Sequence, residues 1–309
     1  PATTGLNHAA WKIQAGMAEV VMVGGMESYS TMTAKFVMSK PQYKLIPPYP
    51  VAQGLTPNPE RNVDMVTVSD RMAKRWEITR EEADAFAARS QERLAQAYRK
   101  QITGPEIIPI RVPGDRKHPD TLAERDEFPR PDTTAEGLAK LRAVYPDGVT
   151  TAGNSSGRND GAAFLLVMTA DKARELGYQP LARWVTGAHC GVQEDYMGIG
   201  PAFSNLKAMK QAGLSLGDID VFECNEAFAA QNLSVIKEME RQTGAAVDQE
   251  KWNPNGGAIA IGHPNGASGA RIAWFAIQQM LQTGGRYGVV SSCCGGGLGT
   301  TAILENLKR

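Results

Sequence analysis

The sequence predicts an α/β fold made from a duplicated unit and interrupted by a loop-rich insertion. Three features carry that expectation. The succession helix, strand, glycines occurs near the start and again near the end. A second apolar strand follows each copy, and the stretch between the copies differs from both in composition. In the first copy, residues 4–17 have helical spacing, with Leu6, Ala9, Ile13 and Met17 on one face and Gly16 near the stop. Residues 20–23 form a strand-sized apolar run that leads into Gly24-Gly25, and residues 163–168 are its companion. In the second copy, residues 268–281 read as a helix through Ile272, Phe275, Ala276 and Met280, with Gly284-Gly285 as the stop. A strand at 287–290, the run Gly295-Gly296-Gly297 and a strand at 300–304 complete it. Such short continuous apolar runs suggest buried, parallel-type strands.

Between the copies, residues 35–61 carry Pro41, Pro47, Pro48, Pro50, Pro57 and Pro59 and read as a long excursion. Thr79-Arg80-Glu81-Glu82 is a capping box opening a helix that runs toward Lys100, with Phe86, Leu94 and Tyr98 on its apolar side. Residues 113–135 read as charged loop. The span 32–157 is therefore expected to be an insertion over the α/β core, and the capped helix argues that it is ordered.

A chain of 309 residues is long enough to bury roughly three quarters of its unfolded surface. Its 33 basic and 33 acidic side chains balance, so there is no basic excess to favour nucleic acid. No apolar segment reaches the ~20 residues that span a bilayer, so no membrane partner is expected. The four cysteines, Cys190, Cys224, Cys293 and Cys294, are too few for a disulfide framework and lack metal-ligand spacing. The expected compartment is reducing, the cytoplasm or an organelle matrix, and no metal is expected. The chain opens at Pro1 inside a helical pattern, so its natural N-terminus is expected to lie outside this sequence.

Four places could carry chemistry. His263 stands between Gly262 and Pro264 at the mouth of the second-copy helix; the glycine permits close backbone approach and the proline fixes the chain after the imidazole. Ser268 and its small neighbours leave room there for a bulky group. Cys293 ends a strand beside a glycine run, where a thiol can act as acid or base; the neighbouring Cys294 should face the opposite side, and spacing alone does not choose between them. Asn225 follows the strand Val221–Cys224 and precedes a helix over 227–238. It can be that helix's N-cap or an oxyanion- or water-holding amide at the carboxyl edge of a sheet. Asn154-Ser155-Ser156-Gly157 can be a plain turn or a hydroxyl-lined channel. Met65 and Met197, taken alone, read as core.

Together these segments resemble the thiolase family of acyl-coenzyme A enzymes, which includes acetyl-CoA acetyltransferases and 3-ketoacyl-CoA thiolases. The resemblance runs along nearly the whole chain: Val23-Gly24-Gly25-Met26-Glu27-Ser28, Asp126-Glu127-Phe128-Pro129-Arg130, Thr151-Ala152-Gly153-Asn154, Met197-Gly198-Ile199-Gly200-Pro201, Asn225-Glu226-Ala227-Phe228-Ala229, Asn253 to Gly269, and Cys293-Cys294-Gly295-Gly296-Gly297. The Asn-Glu-Ala-Phe form is similar to the degradative and biosynthetic branches. The resemblance implies a five-layer αβαβα fold from two duplicated halves with an inserted loop domain. Residues 1–31 and 158–180 would be the remainder of the N-terminal half, 32–157 the loop domain and 181–309 the C-terminal half.

It also implies ping-pong acyl transfer on CoA thioesters, with CoA and acyl-CoA as substrates and no tightly bound cofactor. A cysteine attacks the 3-keto carbon of a 3-ketoacyl-CoA, acetyl-CoA leaves, and a second CoA takes the acyl group; the reverse is Claisen condensation. In that scheme His263 activates the nucleophile and contributes to an oxyanion hole. Cys293 moves the proton at the acetyl-CoA carbon, and Asn225 holds a water that completes a second hole. The Gly295 backbone lies near the first hole, Ser156 touches the pantetheine arm, Phe228 belongs to the CoA-binding motif, and Met65 and Met197 border the acyl pocket. Partner copies forming a homodimer or a dimer of dimers are expected, with an accessory subunit as a further candidate.

Two positions depart from the family. Ala2-Thr3-Thr4-Gly5-Leu6 occupies the nucleophile motif, so Ala2 stands at the position of the cysteine, and alanine cannot form a thioester. Asp64 stands where many members place a histidine that contacts CoA. The rival expectation is therefore a noncatalytic acyl-CoA-binding or partner subunit. A decarboxylating condensing enzyme is the weaker alternative, because the retained Cys293 suits proton transfer.

Overall fold

The computed structural model describes residues 2–33, 54–114 and 116–308. Most of the proline-rich excursion, with the acyl-tunnel or oligomer-contact role expected of it, therefore lies outside the described residues. Helices α1 (Ala2–Gln14), α2 (Met65–Arg75), α3 (Arg80–Arg99), α4 (Ala135–Ala139), α5 (Ala170–Glu175), α6 (Gly200–Ala212), α7 (Ala229–Thr243), α8 (Ala258–Ile261) and α9 (Ser268–Thr283) alternate with strands β1 (Val20–Glu27), β2 (Ile110–Val112), β3 (Thr121–Ala123), β4 (Gly161–Met168), β5 (Ala182–Gly191), β6 (Val221–Cys224), β7 (Tyr287–Cys294) and β8 (Leu298–Asn306). None of these helices is long and apolar enough to cross a membrane.

The two copies are plain in the structure. Each is a helix, a strand and a returning antiparallel strand: α1, β1 and β4 in one, α9, β7 and β8 in the other. The expectation of parallel-type pairing is corrected. β1 runs antiparallel to β4, and within the four-stranded sheet of order β5-β8-β7-β6 only β6 and β7 are parallel. Residues 295–297 turn β7 straight back into β8, and a connection that short permits only an antiparallel hairpin. The loop expected over 113–135 likewise holds β3, which pairs with β2.

Helices α1 and α9 lie between the sheets, sharing one apolar cluster in which Leu6 and Ala9 meet Ile272, Ala276, Val23, Val290 and Ala302. A larger cluster on the other face of the four-stranded sheet joins Phe222, Val289 and Ile303 to Met209, Val235 and Met239 of α6 and α7. The order from α6/α7 through the sheet, α1/α9 and β1/β4 comprises four layers of the αβαβα arrangement. The runs at 20–23 and 163–168 are half exposed, not buried: Val20, Met22, Phe164 and Leu166 point outward, while Val23 faces α1. Strand alternation turns every second side chain away from the helices. The capped helix forms as expected, with Thr79 and Glu82 completing the capping box of α3.

Candidate active site

The site lies beyond the carboxyl ends of β6 and β7, where ligands sit in open α/β sheets. Cys224 pairs with Ser291, and the Asn225 amide donates to the Ser291 carbonyl at 2.9 Å, so Asn225 comes level with the end of β7. Asn225 is not a helix cap: α7 begins four residues later, with extended Phe228 as its N-cap. The Asn225 side chain instead reaches the imidazole, Nδ2 lying 3.3 Å from His263 Nε2, and its Oδ1 is buried without a protein partner.

Helix α8 ends at Gly262, whose φ of 101° belongs to a region that L side chains rarely adopt. That turn swings His263 back toward Asn225. Ser268, expected to leave room, is instead buried and holds the ring: Nδ1 lies 2.6 Å from its Oγ, and that Oγ lies 3.0 Å from the Pro264 carbonyl. With the Ser268 hydroxyl donating to the Pro264 carbonyl and the Asn225 amide donating to Nε2, the ring is assigned the tautomer in which Nδ1–H donates to Oγ. Nε2 then carries the lone pair, facing the Asn225 amide. Burial, and secondarily the Arg271 cation, lower the His263 pKa to about 4, so the ring is neutral at physiological pH.

The N-terminus of α1 arrives from the other copy. A Cβ on Gly269 would collide with the Thr3 backbone, and Ser292 Oγ donates to Thr3 Oγ1 at 3.3 Å, so buried Ala2 sits beside the start of α9 and the end of β7. Cys293 and Cys294 end β7, both half-buried. Burial, with Cys294 beside it, pushes the Cys293 thiol up to about 12. Beyond them, the Gly296 amide donates to Leu55 O at 2.5 Å and the Val192 amide to Gly297 O at 2.7 Å, leaving Gly295 exposed at the turn.

The segments that carry Ser156 and Phe228 run side by side. The Ser156 amide donates to Ala227 O at 3.0 Å, and Ser155 bridges to Phe228. Met65, the first residue of α2, and buried Met197 belong to the α6/α7 cluster, and the segment after Met197 is tied to α7 by Gln231, whose amide donates to Gly198 O at 3.3 Å. Asp64 caps α2, accepting the amides of Val66 and Thr67. Glu226, unassigned by sequence, is buried and accepts bonds from Ser90 Oγ (2.6 Å) and Asn253 Nδ2 (2.9 Å), which anchor the segment behind Asn225. The hold of Ser268 on the ring and the place of Arg271 beneath the turn were not read from the sequence. Helical spacing from His263 was the available signal, but their function depends on a turn that folds back. Among the described residues, no three His, Cys, Asp or Glu side chains gather as a metal site.

This arrangement joins a neutral imidazole, a thiol and a donor amide at one helix N-terminus, a set suited to enolate and thioester chemistry. Comparison with known proteins gives the family. The family model described as "Thiolase, N-terminal domain" matches residues 2–171, and that described as "Thiolase, C-terminal domain" matches residues 178–306. An acetyl-CoA acetyltransferase of Allochromatium vinosum is 41% identical over 300 residues, covering 96% of this chain and 74% of the relative. The structure of acetyl-CoA acetyltransferase from Syntrophomonas wolfei superposes with a TM-score of 0.90 at 32% identity, covering 99% of this chain and 77% of that one. Human mitochondrial 3-ketoacyl-CoA thiolase in complex with CoA gives 0.87 at 35% identity, covering 99% and 75%.

Proposed function

The chain belongs to the thiolase family of acyl-CoA acyltransferases, and from that premise we propose how its own residues divide the reaction. The observation that carries the proposal is the imidazole of His263, held with Nε2 unprotonated by Ser268 and Asn225 beside the N-terminus of α1. In the thiolytic direction, which requires a cysteine at position 2, that thiol would lose its proton to Nε2 and attack the 3-keto carbon. The bond between the carbonyl and the α-carbon then breaks, leaving an acyl group on residue 2 and the enolate of acetyl-CoA. Cys293 gives that enolate its proton. The Cys293 thiolate takes the proton of a second CoA thiol, which attacks the acyl group, and His263 returns its proton to the sulfur leaving at position 2 as the shortened acyl-CoA departs. Asn225 and His263 stabilise oxyanions along the way, and donors fixed in advance at such a site contribute several kcal/mol. Ser156, Phe228, Met65 and Met197 border the CoA thioester in this scheme, with Gly295 at the mouth.

Ala2 favours a second reading as strongly as the fold favours the first. A methyl side chain has no nucleophilic atom, so we propose that this chain binds CoA thioesters without forming an acyl-enzyme. The Ala2→Cys variant separates the readings. Thiolysis of acetoacetyl-CoA, followed as loss of its enolate absorbance, should appear in the variant and be absent from the unsubstituted chain. A variant that folds and binds acetyl-CoA yet shows no thiolysis would leave the noncatalytic binding subunit as the function.

A further inference from the structure

The stretch Asp126-Glu127-Phe128-Pro129-Arg130 has no part in the chemistry above, yet it reaches the His263 turn by separate routes. The Phe128 ring lies against Gly157, where an added Cβ would come within 2.5 Å of Cε2 and Cζ. The Gly157 carbonyl accepts the His263 backbone amide at 3.1 Å. The Arg130 amide donates to Gln91 Oε1 at 2.9 Å, and Gln91 Nε2 donates at 3.3 Å to the carbonyl of Ile259, inside the helix that delivers Gly262 and His263. Asp126 accepts a 2.5 Å bond from Tyr98 Oη and lines the same cavity as Arg271.

Arg271 works from the opposite side. Its Nη1 donates to Gly262 O at 2.8 Å. Gly262 C=O and His263 N–H belong to one peptide unit, so that plane is gripped at both ends, by Arg271 at the oxygen and by Gly157, backed by Phe128, at the nitrogen. Burial lowers the Arg271 pKa, and Asp126 from the insertion with Glu223 and Glu226 near the end of β6 oppose that shift; its Nε and Nη2 have no hydrogen-bond partner among the described residues. A peptide plane fixed at both ends sets where the imidazole points, and misplacement of a reacting group by about 1 Å can cost 100-fold in rate.

We propose that Arg271 and the 126–130 segment are positioning elements for His263, clamping the peptide plane before it so that the covering insertion and the imidazole stay in register. This rests on His263 being the base assigned above. The test is ¹⁵N NMR of histidine-labelled protein, the His263 signals being identified by their loss in His263→Asn. In the chain as it exists, the ring nitrogens should show a single Nδ1–H tautomer. In Arg271→Met and Phe128→Ala, the two nitrogen shifts should move together as tautomers mix, and Arg271→Lys, which keeps a donor to Gly262 O, should recover most of the separation. In the Ala2→Cys background, the Met and Ala variants should lower kcat at least about tenfold with KM within about threefold.

Folded Arg271→Met and Phe128→Ala proteins whose His263 signals overlay those of the unsubstituted chain would overturn the proposal. Should Arg271→Met fail to fold, Phe128→Ala decides on the same readout, because it acts on the other end of the peptide. The spectrum does not depend on turnover. An inactive Ala2→Cys protein therefore leaves this test standing, and an active one with unmoved His263 signals defeats only the positioning role.

Discussion

At the scale of single residues, the site rests with its acid–base groups uncharged. Burial holds the His263 imidazole at about 4 and the Cys293 thiol at about 12, so at neutral pH the imidazole is neutral and the sulfur keeps its proton. Cys293→Ala should abolish exchange of the acetyl-CoA α-protons with solvent deuterium while leaving CoA binding intact. Exchange at the unsubstituted rate would mean Cys294, or no cysteine, is the base. The histidine also makes a stability prediction. Its folded pKa lies below the ordinary value of about 6.5, so between those pH values the unfolded chain binds more protons. Its contribution is fully present above about pH 6.5 and is lost as pH falls toward 4. The thermal midpoint of His263→Asn should therefore fall less than that of the parent between pH 6.5 and 4. Equal slopes would place the imidazole in solvent. His263 and Asn225 were legible because glycine, proline and strand-end positions mark them locally; Ser268 and Arg271 were not, because their roles arise only when α9 lies beneath the turn.

At the scale of elements, local signals and tertiary packing divide the work. The box at Thr79 predicted the start of α3, because its two bonds are made within one turn. Thr79→Ala should lower stability by about 1 kcal/mol in urea unfolding, and an unchanged midpoint would show the cap to be redundant. Strands β1, β4, β6, β7 and β8 were found, β2, β3 and β5 were not, and the pairing was misread, since an apolar run does not say which neighbour it meets. The turn after His263 presses on β1, where a Cβ on Gly266 would collide with the Met26 carbonyl, itself part of a strand. Gly266→Ala should destabilise by about 1–3 kcal/mol and weaken α-proton exchange together, because neither backbone can give way freely. A fully stable, fully active variant would show that the turn is looser than drawn.

At the scale of the whole molecule, the candidate site is assembled from both copies and from the insertion. Helix α1 brings Ala2, β6 and β7 bring Asn225 and Cys293, and residues 154–157 lie alongside the segment after Asn225. A ligand touching all of them should stabilise the folded chain as one unit, by about 2.7 kcal/mol at a hundredfold excess over its Kd. Acetyl-CoA that leaves the denaturation midpoint unmoved would argue against the proposed CoA site. By itself the sequence determined the duplicated α/β plan, the family and the residue types available for catalysis, because these reside in periodicity, glycines and contiguous motifs. Only the tertiary structure decided the strand directions, the tautomer of His263 and the grip of Arg271 and Phe128 on the peptide before it. Those depend on groups far apart in the chain, which spacing along one strand or helix does not specify.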